Sequence, residues 1–418
     1  MSWTRRDVLR GAAAAAAGTA WRAAPATASA GGTAPAPSAD RRNLHVAVVG
    51  AGVFGSFTAL ALRDRGVRVT LIDPWGPGNA RASSGGETRI IRGVYGADST
   101  YTELAARAFA GWAAFEARVG RRFLRPTGAL WLVLADDAFL RAAIPVLAAH
   151  GLPHEELTTE AAAARWPQIR FDGVRWALYE PRAGYLLARQ ACAAAVEALV
   201  AAGGELRSAA ALPGAVENGR LGPLRLSDAS RLTADAYLFA AGPWLPRLFP
   251  EALGAHLKPT RQDVLFFGTP AGDRRFDEEH MPVWIEFGER LLYGIPGNER
   301  RGFKVADDSR GPEFDPTAGE RLVAPESVAR ARELLARRFP ALTDAPLLET
   351  RVCQYENTPD HDFLLDRLPG TDNAWIAGGG SGHGFKFGPA WGERVAATVL
   401  GERPVEAKFA LARFPSSK

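Results

Sequence analysis

Cysteine and lysine are scarce in this sequence. Its 418 residues include two cysteines, Cys192 and Cys353, and only five of the 50 lysine and arginine residues are lysines. Two isolated cysteines do not make the disulfide framework that stabilises small secreted domains. Cys192 lies in an alanine-rich stretch that we expect to be helical, where it would be a small core residue. Cys353 has three interpretations: a disulfide partner of Cys192, a buried thiol, or a reactive group.

The motifs of several other enzyme classes are missing. The sequence has no C-x-x-C pair and its seven histidines are scattered, so we expect no zinc site. The absence of G-x-S-x-G argues against a serine hydrolase of the α/β type. A second G-x-G-x-x-G is also absent, which argues against a reductase or hydroxylase that is supplied with electrons by NADPH.

Charge and hydropathy exclude two kinds of partner. The formal net charge is +4, but four arginines against one aspartate in the first thirty residues account for most of it. The nearly neutral remainder gives no indication of nucleic-acid binding. The apolar stretch 8–21 is too short and too weakly hydrophobic to span a bilayer, so we expect no stable membrane insertion.

Residues 1–30 are typical of a removable export signal. Arg5 and Arg6 precede the stretch 8–21, and residues 28–30 offer an A-x-A cleavage site. Paired arginines indicate a Tat-type signal, so we expect a periplasmic or extracellular protein that is exported in the folded state by the Tat machinery. The alternative is an alanine-rich terminus without a targeting role. Residues 31–42 have the small, polar, proline-containing composition of a linker.

A nucleotide-binding unit is predicted directly after the linker. The stretch "VAVVGAGVFG" contains G-x-G-x-x-G at Gly50, Gly52 and Gly55, between an apolar strand and a helix that Gly66 would end. The first glycine permits a tight turn, the second lets the backbone approach a pyrophosphate, and the third lets helix and strand pack closely. A second strand ends at Asp73, whose carboxylate can accept a hydrogen bond from a ribose hydroxyl. This order of strand, helix, strand and acid predicts dinucleotide binding.

Two later segments are predicted to return to the same nucleotide. One is a strand at 235–240 followed by Ala241 and Gly242, and the other is the glycine-rich turn in "AGGGSGHGFKF". Backbone amides in such a turn can converge on a planar ligand, and a following helix N-terminus would stabilise negative charge on a reduced flavin. We therefore predict FAD as the cofactor. The predicted contacts from this turn are Gly382, His383, Gly384, Phe385 and Lys386.

The predicted fold class is α/β, with a discontinuous Rossmann-like FAD-binding domain and a substrate domain. The short apolar runs "DVLFFG", "VWIEFG", "RLLYGIP" and "GFKVA" predict a mixed, largely antiparallel sheet in the substrate domain. The predicted boundaries are 43–100, 165–250 and 345–401 for the FAD-binding domain, 101–164 and 251–344 for the substrate domain, and 402–418 for a C-terminal tail.

Six stretches carry a family resemblance that extends from about residue 44 to 401. They are "VVGAGVFG", "SSGGETRIIRGVYG", "LLYGIP", "GFKV", "RVCQYENTPDHDFLLD" and "SGHGFKF". With these the chain resembles the monomeric sarcosine oxidase and N-methyltryptophan oxidase family, flavoprotein amine oxidases of the D-amino acid oxidase superfamily. The resemblance implies FAD, an amino acid substrate, O₂ and a monomeric protein.

The resemblance places three residues at the flavin. Cys353 matches the cysteine that this family joins to the 8-methyl group of FAD by a thioether, Lys304 matches a lysine that assists oxygen reduction, and Arg89 matches a basic residue at the flavin face. From the residues alone, Lys304 is either a solvent-exposed lysine or a cation in a low-dielectric site. The spacing of Arg89 and Arg92 places them near one face of a helix but on diverging sides of a strand.

The resemblance also locates the substrate, with two departures from the family pattern. Arg92 and Lys386 match residues that hold the substrate carboxylate, and Tyr293 matches an active-site tyrosine. Where the sarcosine oxidases have histidines, this chain has Gly85 and Asp308. We expect Gly85 to open space in the substrate pocket and Asp308 to favour a cationic or hydrogen-bond-donating part of the substrate.

These predictions combine into an exported oxidase of N-methyl or cyclic secondary amino acids. A hydride would leave the carbon next to nitrogen, the resulting imine would hydrolyse, and O₂ would be reduced to H₂O₂. Because the reacting amine has to be neutral, activity is expected to increase with pH. Two alternatives stay open: a flavin dehydrogenase with another electron acceptor, and an exported binding protein with an inactive redox site.

Overall fold

The computed structural model describes residues 41–135 and 137–415. The predicted export signal and the predicted linker up to residue 40 lie outside these ranges. Within them, no helix has both the length and the apolar character that crossing a membrane requires.

A six-stranded sheet carries the glycine motif at its centre. Its strands are β1 His45–Val49, β2 Arg68–Ile72, β9 Glu205–Arg207, β15 Ala236–Phe239, β21 Leu364–Arg367 and β22 Ala374–Gly378. Their spatial order is β21-β22-β15-β1-β2-β9, and all neighbours are parallel except the edge pair β21–β22. Strands β1 and β22 are buried along their whole length, as continuous apolar runs in a parallel sheet require.

An eight-stranded sheet forms the second half of the molecule. Its strands are β5 Ala129–Val133, β6 Glu155–Leu157, β7 Trp176–Glu180, β16 Lys258–Phe267, β17 Val283–Phe287, β18 Leu291–Ile295, β19 Phe303–Asp307 and β20 Leu347–Asn357. The spatial order is β20-β16-β19-β18-β17-β5-β7-β6, and only β17 and β5 pair in parallel. The predicted α/β fold class, with a Rossmann-like sheet and a mixed, largely antiparallel sheet, is confirmed.

Three smaller sheets complete the strands of the described residues. β3 Thr88–Ile91, β4 Leu124–Arg125 and β8 Gly184–Leu187 form one of them, in the order β3-β8-β4. The others contain β10 Ala211–Leu212, β11 Val216–Glu217, β12 Arg220–Leu221, β13 Leu224–Leu226 and β14 Arg231–Leu232. Arg89 therefore lies in a strand and Arg92 directly follows it, so a helical face does not bring the two together.

Nine α-helices occur in the described residues. They are α1 Val53–Asp64, α2 Ser99–Val119, α3 Ala138–Ala149, α4 Thr159–Arg165, α5 Ala188–Ala201, α6 Leu245–Leu248, α7 Pro250–Leu253, α8 Pro325–Arg338 and α9 Gly388–Val399. Helix α1 packs against α5, α9 and β2. Both ends of α2 are capped, because the Asp98 carboxylate accepts backbone N–H groups of the first turn and Gly120 has a φ of +66°.

Two strands belong to a different sheet from the one that the predicted domain boundaries imply. β7 and β20 fall in segments predicted to belong to the FAD-binding domain, but both are hydrogen-bonded within the eight-stranded sheet. β20 carries Cys353, so the strand that contains this thiol belongs to the antiparallel half of the molecule. The domain boundaries themselves stay a prediction.

Candidate active site

A groove of about 1280 Å³ lies at the carboxyl ends of β1, β2, β15 and β22. Its walls include Gly50 and Asp73, which directly follow β1 and β2, and Gly242, which comes three residues after the end of β15. In open α/β sheets, ligands bind in the crevice outside the carboxyl ends of the strands. The groove is therefore where the fold itself positions a nucleotide.

The three glycines of the motif occupy positions with different steric limits. Gly50 has a φ of +107°, and a Cβ there would lie 2.4 Å from the carbonyl oxygen of Ala240. A Cβ on Gly55 would lie 1.8 Å from the carbonyl oxygen of Gly50, so helix α1 and strand β1 approach closely at this point. At Gly52 the nearest atom is Ser84 Oγ at 3.5 Å, and this residue faces the groove.

Asp73 lies in the groove with its carboxylate held by backbone amides. Oδ2 accepts a hydrogen bond from Ala51 N–H at 2.9 Å, and Oδ1 accepts from Trp75 at 2.8 Å and Gly76 at 2.9 Å. Burial raises the pKa of Asp73 above its ordinary value. Oδ2 keeps a lone pair with which it can accept a hydrogen bond from a hydroxyl group.

Two buried polar atoms in the groove have no hydrogen-bond partner among the described residues: Ser83 Oγ and Glu356 Oε1. Burial raises the pKa of Glu356 to about 8, although the backbone amides of Gly379 and Gly380 oppose this shift. Buried polar groups in native proteins are nearly always paired, so these two atoms call for a polar ligand. The hydroxyl and phosphate groups of FAD would satisfy them, and the groove fits this cofactor.

Two glycines of the turn at 379–384 have no space for a side chain. A Cβ on Gly382 would lie 2.6 Å from the ring of Tyr355, and a Cβ on Gly384 would lie 2.9 Å from the ring of Phe54. The turn continues into a 3₁₀ turn, Phe385–Phe387, and then into helix α9. Its backbone consequently lies directly against the groove, as the sequence predicts for a segment that contacts a flat ligand.

A second cavity of about 560 Å³ adjoins the groove. The two share four wall residues: Arg89, Tyr355, Gly382 and Phe385. The second cavity is also lined by the predicted substrate residues Arg92, Asp308 and Lys386, the predicted active-site residue Tyr293 and the predicted cofactor contact His383. A ligand in this cavity and a cofactor in the groove would therefore lie against the same four residues.

One end of the second cavity is cationic. Lys386 is 4% exposed, and its Nζ donates to the Tyr95 hydroxyl at 2.8 Å and to the His383 carbonyl at 2.7 Å, which leaves one N–H for a ligand. The Arg92 guanidinium lies 4.5 Å from the centre of the Tyr95 ring and 5.1 Å from that of Trp131. Burial, and secondarily Arg92, lower the pKa of Lys386 well below its ordinary value. An anion such as a carboxylate would offset both effects.

His383 is held as a neutral ring beside this end of the cavity. Its Nε2 lies 2.9 Å from the His361 carbonyl oxygen and its Nδ1 lies 3.3 Å from the Tyr95 hydroxyl. Burial, followed by the charge of Lys386, lowers the pKa of His383 well below its ordinary value. A neutral ring with its proton on Nε2 can accept a hydrogen bond from Tyr95, so the chain Lys386–Tyr95–His383 is fully paired.

Asp308 and Tyr293 line the same cavity. Asp308 directly follows β19, and its Oδ1 accepts a hydrogen bond from the Tyr355 hydroxyl at 2.6 Å. Burial raises the pKa of Asp308 above its ordinary value. Burial also raises the pKa of Tyr293, with a further contribution from the charge of Asp308.

Lys304, Cys353 and Arg89 meet at a third cavity of about 1010 Å³. Lys304 is 2% exposed and its Nζ donates to the Thr88 carbonyl at 3.1 Å, so it is the buried cation and not the solvent-exposed lysine. Burial, and then the neighbouring Arg89, lower the pKa of Lys304 to about 7. Arg89 donates to Cys353 Sγ at 3.1 Å, and Arg89 is a wall residue of all three cavities. Cys192 and Cys353 are both free, which removes the disulfide interpretation.

Gly85 does not open space in the substrate cavity, and this expectation was wrong. The residue lies in the 3₁₀ turn Ser83–Gly85, and a Cβ there would lie 1.8 Å from the Asn79 carbonyl oxygen. Packed backbone fills the position that a side chain would need. Gly85 lines the third cavity and is not a wall residue of the second.

Several site residues were missed by sequence reasoning. Tyr355 stands two residues after Cys353 in a strand, so strand alternation alone could have placed it beside the thiol. Glu356 could have been noticed as an acid within a strand of the quoted motif. Tyr95 could likewise have been noticed in the quoted stretch "SSGGETRIIRGVYG", whereas Trp131 carried no comparable signal, because it reaches the cavity through tertiary packing.

The described residues contain no group of three side chains that could hold a metal ion. His150 and His154 are four residues apart, but His150 Nε2 lies 2.8 Å from Ser99 Oγ and His154 Nδ1 lies 3.1 Å from the Leu152 carbonyl oxygen. Each of the two rings therefore has a protein partner within hydrogen-bond distance.

Comparisons with known proteins show relatives that match most of the chain. The monomeric sarcosine oxidase of Streptomyces avermitilis is 31% identical over 360 residues, which are 85% of this chain and 93% of that protein. The N-methyl-L-tryptophan oxidase of Yersinia pestis is 28% identical over 375 residues, 88% of this chain and 98% of that protein. The crystal structure of L-proline dehydrogenase from P. horikoshii covers 86% of this chain with a TM-score of 0.75 at 22% identity, and shares the fold.

The family model for FAD dependent oxidoreductases, DAO, matches residues 45–398. That range includes all six strands of the sheet that carries the glycine motif and all eight strands of the antiparallel half. The three cavities, with the buried lysine and the glycine-lined groove, are likewise formed within it. The chain belongs to the DAO family of FAD-dependent oxidoreductases.

Proposed function

We propose that this protein is an oxidase of secondary amino acids, N-methyl or cyclic, that converts their C–N bond to an imine and reduces O₂ to H₂O₂. The observation that carries the proposal is the contact between the FAD groove and a cavity with a cationic end, through the shared residues Arg89 and Tyr355. Similarity to a sarcosine oxidase and to an N-methyl-L-tryptophan oxidase supports the same substrate class.

The substrate cavity has a cationic end and an apolar wall. Arg92 and Lys386 would bind the substrate carboxylate, since each has N–H groups to spare beyond its protein partners. Ile90, Ile285 and Leu291 line the apolar wall and leave room for a side chain or ring. A carboxylate fixed in this way would direct the neighbouring amine and its C–H bond towards the groove.

FAD, when bound, supplies the acceptor for the hydride, which carries both electrons of the oxidation. The protein contributes the residues around it. Lys304 places a buried ammonium at the third cavity, where it would stabilise negative charge that develops as oxygen is reduced. Gly382 lines both the substrate cavity and the groove, so its backbone would lie beside the substrate and the cofactor alike.

We also propose that Cys353 holds FAD by a thioether bond. The thiol lies next to Arg89, a wall residue of the groove, and it is free in a chain with very little cysteine. With the proposed Tat-type export, FAD would be incorporated in the cytoplasm, and a covalent bond would prevent its loss in the periplasm or outside the cell.

The covalent bond has a direct test. Denatured native protein should retain flavin fluorescence in its band on an SDS gel, and the variant Cys353→Ser should release the flavin on denaturation. Release of flavin from the denatured native protein would refute the tether and leave the redox function intact. Cys192→Ser is the matched control and should keep the fluorescence, since Cys192 is buried in α5.

The function is tested with a panel of amino acids on the purified flavoprotein. Sarcosine, N-methyl-L-tryptophan, L-proline and L-pipecolate should be compared with their primary-amine counterparts, with O₂ consumption and H₂O₂ formation measured together. Oxidation of secondary amines with one H₂O₂ per O₂ would support the proposal. Anaerobic reduction by a secondary amine followed by very slow reoxidation in air would identify a dehydrogenase instead, and protein without flavin would identify a binding protein.

A further inference from the structure

The cavity that contains Asp308 also contains the basic side chains of Arg92 and Lys386, and Asp308 forms an ion pair with neither of them. No lysine or arginine side chain forms an ion pair with it among residues 41–135 and 137–415; its partner is the neutral hydroxyl of Tyr355, at 2.6 Å. The adjacent Asp307 differs, because its carboxylate pairs with Arg290 and Arg330 at the surface. A buried carboxylate without a cation carries a desolvation cost that a positively charged ligand would remove.

The charges around Asp308 show where such a ligand would lie. Burial raises its pKa, while Tyr355, Arg92 and Lys386 oppose this shift. Arg92 and Lys386 are near enough to affect its charge without pairing with it, so a gap separates the two cations from the acid. The other titratable groups that face this region are Tyr293, Tyr95 and the neutral His383, and the charge of Asp307 acts on Asp308 from outside the cavity.

An amino acid in its ordinary solution form matches this arrangement. It carries a carboxylate and an ammonium group on adjacent atoms, and the cavity presents two cations at one side and one carboxylate at the other. The oxidation proposed above requires the amine in its neutral form, because a protonated nitrogen has no lone pair to support the departure of hydride. The ammonium proton therefore needs an acceptor within the cavity.

We propose that Asp308 binds the ammonium group of the incoming amino acid and accepts one of its protons, which makes the amine neutral before the C–H bond breaks. The inference rests on the proposed function. In this step one N–H bond of the substrate breaks and one O–H bond forms on the Asp308 carboxyl, and no electrons are transferred. The raised pKa favours the acceptor role, because a carboxylate that resists ionisation retains the proton more readily.

The binding half of the proposal is tested with two ligands of the same shape. N,N-dimethylglycine carries an ammonium beside its carboxylate, and 3-methylbutanoate has a CH group in place of that nitrogen. Titration calorimetry on the native flavoprotein should show a preference for dimethylglycine that falls about tenfold or more in Asp308→Asn, the usual contribution of a charged hydrogen bond. Asp307→Asn is the control, since it makes the same chemical change one residue away, and it should retain the preference.

The outcomes separate this inference from the proposed function. An unchanged ratio of the two affinities in Asp308→Asn would overturn the role of Asp308 and leave the amino acid oxidase intact. If neither ligand binds the native protein, both the oxidase proposal and this inference fail. Thermal unfolding of each variant establishes that it is folded before it is titrated.

The proton-transfer half is tested by the pH dependence of anaerobic flavin reduction by sarcosine. In the native protein the rate should rise as Asp308 ionises, whereas in Asp308→Asn it should rise about tenfold per pH unit until the free amine titrates. Identical profiles would refute the acceptor role. Tyr355→Phe gives a second measurement if the asparagine variant does not fold: loss of the hydroxyl donor should move the native profile to higher pH, and an unmoved profile would overturn the proposal.

Discussion

At the scale of single residues, burial separates the two sides of the active site into different electrostatic environments. On one side Lys386 and Arg92 form a cationic end that suits a carboxylate, and on the other Lys304 is a cation whose burial lowers its pKa to about 7. Arg89 stands between them as a wall residue of all three cavities. The two half-reactions of an oxidase would therefore depend on pH through different groups.

Replacement of Lys304 by methionine should slow flavin reoxidation about 100-fold, the usual effect of removing one preorganised electrostatic group. Reduction by substrate under anaerobic conditions should change little. In the native protein the reoxidation rate should decrease as pH rises through about 7, because the ammonium loses its proton there. Stopped-flow mixing of reduced protein with O₂ measures this rate. Equal reoxidation rates in the methionine variant and the native protein would exclude the proposed role.

Glu356 is expected to bind FAD in its protonated form. Its pKa is raised to about 8, so at pH 7 the carboxyl group is neutral and can both donate and accept a hydrogen bond. In the Cys353→Ser background, Glu356→Gln should retain FAD affinity, whereas Glu356→Val should weaken it about tenfold, the effect of one buried hydrogen bond. The FAD affinity of the protein that retains Glu356 should decrease as pH rises through about 8, because the carboxyl group then becomes a buried anion. FAD titration monitored by fluorescence gives all three values, and a valine variant with unaltered affinity would contradict the assignment.

At the scale of secondary-structure elements, the glycine motif joins strand β1 to helix α1 by direct backbone contact. Gly55 permits that contact and Gly52 lies open to the groove, although the two are in the same turn of chain. Packing between helix and strand can therefore be changed separately from cofactor binding.

Gly55→Ala should lower the free energy of unfolding by about 1–3 kcal/mol, since a Cβ would lie 1.8 Å from the Gly50 carbonyl oxygen and force the helix away from the strand. Gly52→Ala is the matched change and should leave the stability of the apoprotein nearly unaltered while it weakens FAD binding. Denaturant unfolding of the apoprotein and FAD titration distinguish them. A Gly55 variant as stable as the Gly52 variant would show that the close approach of helix α1 to Gly50 does not limit the stability of the apoprotein.

The sequence predicts the parts of this site that depend on interactions between neighbouring residues, and it does not predict the parts that depend on contacts between remote segments. Strand β1, helix α1, strand β22 and the turn before α9 are predicted from the sequence because glycine spacing and apolar runs act over a few residues. Gly85 was misjudged, because the obstacle is the backbone of Asn79, and only the folded turn brings it close. Trp131 lines the cavity and Tyr95 contacts Lys386 through packing between remote segments, which no local pattern encodes.

At the scale of the whole molecule, the FAD groove is a junction between the two large sheets. Tyr355 and Glu356 come from β20 of the eight-stranded sheet, whereas Gly50, Asp73 and Gly242 follow strands of the six-stranded sheet. A ligand that contacts both sheets stabilises their joint arrangement by mass action.

Addition of FAD to apoprotein of the Cys353→Ser variant should slow amide hydrogen exchange together in three remote segments, 50–55, 240–244 and 379–385. The same ligand should leave the surface groove lined by Arg290, Arg330 and Leu334 unprotected, because that groove is not part of the FAD site. Hydrogen–deuterium exchange with mass spectrometry measures both regions. Protection of only the first segment would mean that the cofactor contacts one sheet alone.

The distribution of the groove along the chain determines when the cofactor can be captured. Its wall runs from Val49 to Phe385, so the glycine motif leaves the ribosome long before the turn that completes the site. Until then the nascent protein has only part of the groove wall. The groove can accordingly enclose FAD only after the last glycine-rich turn has been synthesised, so a product truncated before that turn would lack part of the groove wall.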